Sequence, residues 1–166
     1  MRRVSFKVLG KPQPAGSKQS FALYSHGQPI MKAGRVIVNT VDANKHAKPF
    51  KQEVAALARA QMAGRDLWNC PVRLCLVFVL ARPAGHYRTG KNAHLLAKHA
   101  QPFPTVKPDV GKLARGVEDA LTGIVYRDDV LIHTASLRKR YARANEPAHT
   151  KVWVVSEPES VPGETP

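Results

Sequence analysis

Cysteine is nearly absent from this 166-residue chain: Cys70 and Cys75 are the only two, and no Cys or His stands near them at a zinc-finger interval. A disulfide framework and a structural zinc module are therefore excluded as organising devices. Long hydrophobic runs are missing too, and none approaches the roughly 18–20 residues of a membrane span. The start, Met1 to Val8, is charged and lacks an apolar h-region or a small-residue cleavage site, so the expected location is the cytoplasm, with no membrane partner. Acidic residues are scarce, 12 against 26 Lys and Arg, for a formal charge of +14. With 43% hydrophobic residues the chain is nevertheless a folding sequence rather than a disordered basic tail.

The few carboxylates are unevenly placed. The last eleven residues hold Glu157, Glu159 and Glu164, no Lys or Arg, and three prolines, and read as a frayed acidic tail over 156–166. The remaining body, 1–155, carries 26 basic and 9 acidic residues, or +17, and five of those nine acids fall between Asp109 and Asp129. Such a body attracts a polyanion. Its carboxylate cluster would repel one unless a cation sits between, and hard divalent cations favour carboxylate oxygens. The competing reading is that these acids neutralise neighbouring Lys and Arg.

Val4 to Leu9 alternates as a strand ended by Gly10, and Lys11 to Lys18 is a Pro/Gly loop. Gly34 to Val38 reads as the return strand of a hairpin. Pro49 to Met62 has helical spacing in Phe50, Val54, Leu57 and Met62, with Gly64 as its C-terminal cap. Val72 to Leu80, nearly all apolar, predicts a central strand covered on both faces. Arg82 to Lys107 is a long basic loop, with a helical turn expected at His94 to His99. A second helix starts at Asp109. Val110, Leu113, Val117, Ala120 and Leu121 take its apolar face, Asp109, Lys112, Gly116 and Asp119 the opposite one, and Gly123 closes it. Strands are expected at Val130 to Tyr141 and Thr150 to Val155. One α/β (α+β) domain follows, a single mixed β-sheet with two main helices packed on it.

Two blocks carry a resemblance. Lys107-Pro108-Asp109-Val110-Gly111-Lys112-Leu113-Ala114-Arg115-Gly116-Val117-Glu118-Asp119-Ala120-Leu121, followed by Tyr126-Arg127-Asp128-Asp129, resembles the RusA family of phage and prophage Holliday junction resolvases. The resemblance extends over most of Val4 to Val155. It implies a homodimer that binds four-way DNA junctions by shape and cuts symmetrically related strands with Mg²⁺ (Mn²⁺ as a substitute). By position it implies metal ligation by Asp109, Asp128 and Asp129, with Asp109, Asp129 and Arg115 catalytic and Asp119 and Lys112 supporting. Lys107, Arg127, Arg138, Lys139 and Arg140 would contact phosphates, which position DNA without reading sequence.

Three departures stand out: Gly111 replaces the family's second carboxylate, Leu131 the Gln after the Asp pair, and Arg115 a Lys. Gly111 removes an oxygen ligand. A structure-selective endonuclease and a catalytically weakened or inactive junction binder both follow, with a generic basic RNA- or DNA-binding domain as a third class. Simpler roles remain open for several residues: Asp119 paired to Arg115 or Lys112, Asp128-Asp129 as a turn or cap, and Arg138 to Arg140 as charged edge protection. Trp68 and Trp153 are expected in the core or a dimer contact, and His94, His99 and His133 in structural or solvent positions.

Overall fold

Alternation, helical periodicity and glycine punctuation account for most of the element boundaries. The computed structural model describes residues 1–16, 18–42 and 44–157. In chain order it contains β1 (Arg3–Leu9), β2 (Lys18–Ala22), β3 (Tyr24–Ser25), β4 (Gln28–Pro29), β5 (Met31–Lys32), β6 (Arg35–Val36), β7 (Val38–Asp42) and α1 (Ala47–Met62). Then follow β8 (Val72–Leu80), α2 (Val110–Leu121), β9 (Ile132–Tyr141) and β10 (His149–Ser156).

Four of the strands form one sheet in the order β1-β10-β8-β9. β10 pairs antiparallel with β1 and with β8, and β8 pairs parallel with β9, so the sheet is mixed and carries two helices, as expected. The parallel pair needs a long crossover, and the basic loop plus α2 supply it. Val4, Val8, Leu74, Leu76, Phe78, Val152 and Val154 stack on one face under Phe50, Val54 and Ala58 of α1 and Leu113 and Val117 of α2. Each buried Val, Leu or Phe among them contributes about 1.5–3 kcal/mol by leaving water.

The sequence reading of β8 as covered on both faces needs correction. Its burial alternates at the start, with Val72 and Leu74 buried and Arg73 exposed between them. Both helices pack on the side of Val72, Leu74 and Leu76, and on the other side the cover is graded, from exposed Arg73 through half-buried Cys75 and Val77 to buried Val79. Two other expectations shift. The turn placed at His94 to His99 is found earlier, as short 3-10 turns at Ala84–His86 and Gly90–Asn92. Gly116, placed on the polar face of α2, is buried: the loop of Gln13 to Ala15 lies against it, and the Ala15 N–H donates to the Lys112 carbonyl at 2.8 Å.

The hairpin anticipated at Gly34 to Val38 is part of a larger arm. β2 and β7 form a two-stranded ribbon whose end forks into two tight hairpins, β3-β4 and β5-β6. Each is closed by two residues with positive φ, His26 (49°) and Gly27 (80°) in one, Ala33 (49°) and Gly34 (74°) in the other. That is the type I′ geometry whose twist matches paired strands. Ile37, which breaks the return strand into β6 and β7, donates its N–H to Ile30 and accepts from Leu23 at the fork. None of residues 19–40 belongs to the buried core, and Phe21, Tyr24, Met31 and Val38 are exposed.

β10 continues through Ser156, one residue into the expected tail. Glu157 then pairs with Arg73 and donates its N–H to the Pro71 carbonyl. The rest of that tail lies outside the described residues. Among those described, no helix is long and apolar enough to cross a membrane.

Candidate nucleic-acid interface

Asp109 is the N-cap of α2, with extended backbone and no hydrogen bond from its side chain to the helix start. Its carboxylate is therefore left free at the positive end of a helix. Three contacts fix this position. The Leu113 N–H donates to the Asp109 carbonyl at 3.1 Å, the Ala15–Lys112 bond ties the Pro-rich loop to α2, and Lys139 reaches across from β9. The Lys139 ammonium donates to the carbonyls of Val106 (2.8 Å) and Pro108 (3.0 Å). The result is a cleft of about 280 Å³ in which Asp109 sits between Lys107 and Lys112, facing Pro14 to Gly16 and Asn44. Asn44 is itself anchored, donating to the Pro14 carbonyl at 3.0 Å and to the Gln13 side chain at 3.3 Å.

Two of the other acids are engaged by partners of their own. Asp128 accepts the Val130 N–H at 3.0 Å and so caps the 3-10 turn Asp129–Leu131. Asp119 pairs with Lys51 of α1 at 2.6 Å, neither with Arg115 nor with Lys112. Asp129 is exposed, has no ion-pair partner among the described residues, and its charge reaches the Glu118 carboxyl of α2. Burial, reinforced by Asp129 and Asp119, pushes the Glu118 carboxyl above its ordinary value, and Arg115 opposes the shift. Tyr126, buried and donating its hydroxyl to the Glu118 carbonyl, is raised chiefly by burial, with Glu118 and Asp129 adding to it.

Among the described residues, no three His, Cys, Asp or Glu side chains stand close enough to hold one metal ion. Asp109 and Asp129 offer the hard oxygen that Mg²⁺ prefers. A three-carboxylate site built from Asp109, Asp128 and Asp129 is not formed, and position 111, on the exposed side of α2, has no side chain to add. A Cβ there would meet nothing within 4 Å.

The expected phosphate contacts divide. Lys107, Arg127 and Arg138 are exposed, and none has a carboxylate partner among the described residues. Lys139 is occupied by the two carbonyls. Arg140 makes a two-pronged pair with Glu146, both contacts at 2.6 Å, and Glu146 also accepts the Arg143 N–H. These two cations are thus engaged within the chain, contacts that their place in a basic run did not reveal. Sequence reasoning did not single out Glu118 of α2, Lys48 and Arg59 of α1, or Lys45 just ahead of it. Lys45, Lys48 and Lys51 bunched at a helix start were the available signal.

A basic α+β body that presents a free carboxylate between lysines at a helix start is a polyanion-directed domain. Residues 25–153 match the family model of the RusA endodeoxyribonucleases. The chain belongs to that family, whose members are endodeoxyribonucleases that resolve Holliday junctions. It is also 26% identical over 139 residues to YqaN of Bacillus subtilis (strain 168), an uncharacterized protein; the match covers 84% of this chain and 88% of YqaN.

Proposed function

We propose that this chain binds four-way DNA junctions as a homodimer and cuts them slowly, because its hydrolytic centre is one carboxylate short. The observation that carries this reading is the free Asp109 carboxylate between Lys107 and Lys112 in a cleft whose neighbouring position 111 is empty. A twofold dimer supplies two such clefts, as symmetric cutting of a junction requires.

Lys107, Arg127 and Arg138 bind backbone phosphates, and Lys112 and Arg115 offset the negative charge that builds on the scissile phosphate. Arg115 does so with a planar fork suited to two phosphate oxygens. Asp109 and Asp129 are the residues that would hold Mg²⁺ or Mn²⁺, water completing the shell. A bound divalent ion supplies an activated water and charge neutralisation at phosphorus.

The reading is tested by competition in EDTA between a labelled four-way junction and linear duplexes of the same arm sequences. Preference for the junction by roughly tenfold or more, a difference of about 1.4 kcal/mol, supports it. Equal affinity for both contradicts it and favours a generic basic nucleic-acid-binding domain.

A further inference from the structure

A groove of about 980 Å³ lies between α1 and the C-terminal end of α2, at the foot of the arm. Lys45, Lys48, Lys51 and Arg59 line it, and among the described residues Asp119 is the one acid in its lining. Since Lys51 and Asp119 neutralise each other, Lys45, Lys48 and Arg59 are left exposed, with no carboxylate partner among the described residues.

This placement is poor for folding. Like charges share one concavity, and their mutual repulsion disfavours the compact state. Lys45 and Lys48 also flank the start of α1, whose first turn has no acid. The partial positive charge at a helix start favours anions and disfavours cations there. A bound polyanion removes both penalties. Breaches of a local rule without compensation in the fold are expected at functional positions.

The groove also has the right shape. Lys48, Gln52, Ala55 and Arg59 succeed one another along one face of α1, and eleven residues of helix span about 16 Å. A strand laid along that length brings successive phosphates past all three cations. Asn44 lines both this groove and the Asp109 cleft, so the two are contiguous.

We propose that the groove carries the sugar-phosphate backbone of one duplex arm of a DNA junction away from the Asp109 cleft, with Lys45, Lys48 and Arg59 as its phosphate contacts. The inference rests on the junction-binding reading and adds a track to it. The contacts are to phosphate alone, so they add affinity and orientation without sequence preference.

The test uses the full chain with Lys45→Ala, Lys48→Ala and Arg59→Ala combined, against a control of equal charge, Lys7→Ala, Lys91→Ala and Lys151→Ala. Affinity for a labelled four-way junction is measured over a salt series in EDTA, and both variants are checked for wild-type melting. The groove variant should flatten the slope of log affinity against log salt by about 3, roughly 0.9 per lost phosphate contact, and the control by less than 1. A groove variant whose slope changes no more than the control's overturns the track while leaving junction binding intact. A wild-type chain that binds no junction overturns the junction reading and the track with it. An RNA junction that competes as well as the DNA one overturns DNA as the occupant.

Discussion

The Lys139 ammonium, on β9, donates to the carbonyl of Pro108 at 3.0 Å, one residue ahead of Asp109. A cation from a basic run is thereby used to fix where α2 begins and where the Asp109 carboxylate stands. Lys139→Met keeps the stem and removes the donor. It should cost about 1 kcal/mol of stability, because the part-buried Pro108 carbonyl loses its donor while the exposed Val106 carbonyl turns to water. It should also slow junction nicking while leaving the salt dependence of binding unchanged. A salt slope that drops by about 1 instead would make Lys139 a phosphate contact.

Arg138 and Arg140 are two residues apart on β9 and so share one side of it, yet among the described residues only Arg140 has a carboxylate partner. Arg138→Ala should flatten the salt slope of junction binding by about 1, whereas Arg140→Ala should leave it as in the wild type. Equal effects from the two would contradict the division of labour described above.

Glu146 gives this pair a pH signature. Hydrogen bonds from the Arg140 side chain and the Arg143 N–H hold its carboxyl down to about 2 from the ordinary 4.5. The folded state thus binds the proton less tightly than the unfolded one. The pair's contribution is fully present above about pH 4.5 and is lost as pH falls toward about 2. The melting-temperature gap between wild type and Arg140→Met should narrow over that window. A gap that is constant from pH 7 to 3 would argue against the pair.

Glu118 behaves in the opposite sense. Its carboxyl is raised, so the ionised form is the one the fold disfavours. Any stability this group contributes is present at low pH and lost as pH rises through its folded value. Glu118→Gln should therefore be more stabilising, relative to wild type, at pH 7 than at pH 4, as read from thermal melts at both values.

The arm supplies a test of independence. Because none of residues 24–36 enters the core, replacing them with Asn-Gly should leave the melting temperature within about 2 °C of the wild type. A larger loss would mean that the fork supports the sheet.

Local pattern reached some of these features and missed others for physical reasons. The apolar run at Val72 to Leu80 matches β8 end to end, and the spacing of Leu113, Val117 and Leu121 marks the buried side of α2, because both signals lie within one element. The fork of the arm escaped because its strands are two residues long, too short to alternate, and only the His26-Gly27 and Ala33-Gly34 turns betray it. The partners of Asp119 and Lys139, 68 and 31 residues away in sequence, are set by packing rather than by spacing. Asp128 had an open reading as a cap, and in the structure its side chain is engaged as one.

The account stands or falls on Gly111, an exposed helical position with open space around it. The direct measurement is Mg²⁺-dependent nicking of a synthetic four-way junction by the wild type, Gly111→Asp and Asp109→Asn, at matched junction occupancy. The account predicts slow nicking by the wild type, nicking at least tenfold faster with Gly111→Asp, and none with Asp109→Asn. Nicking by the wild type at the rate of Gly111→Asp, or nicking that survives Asp109→Asn, would contradict it.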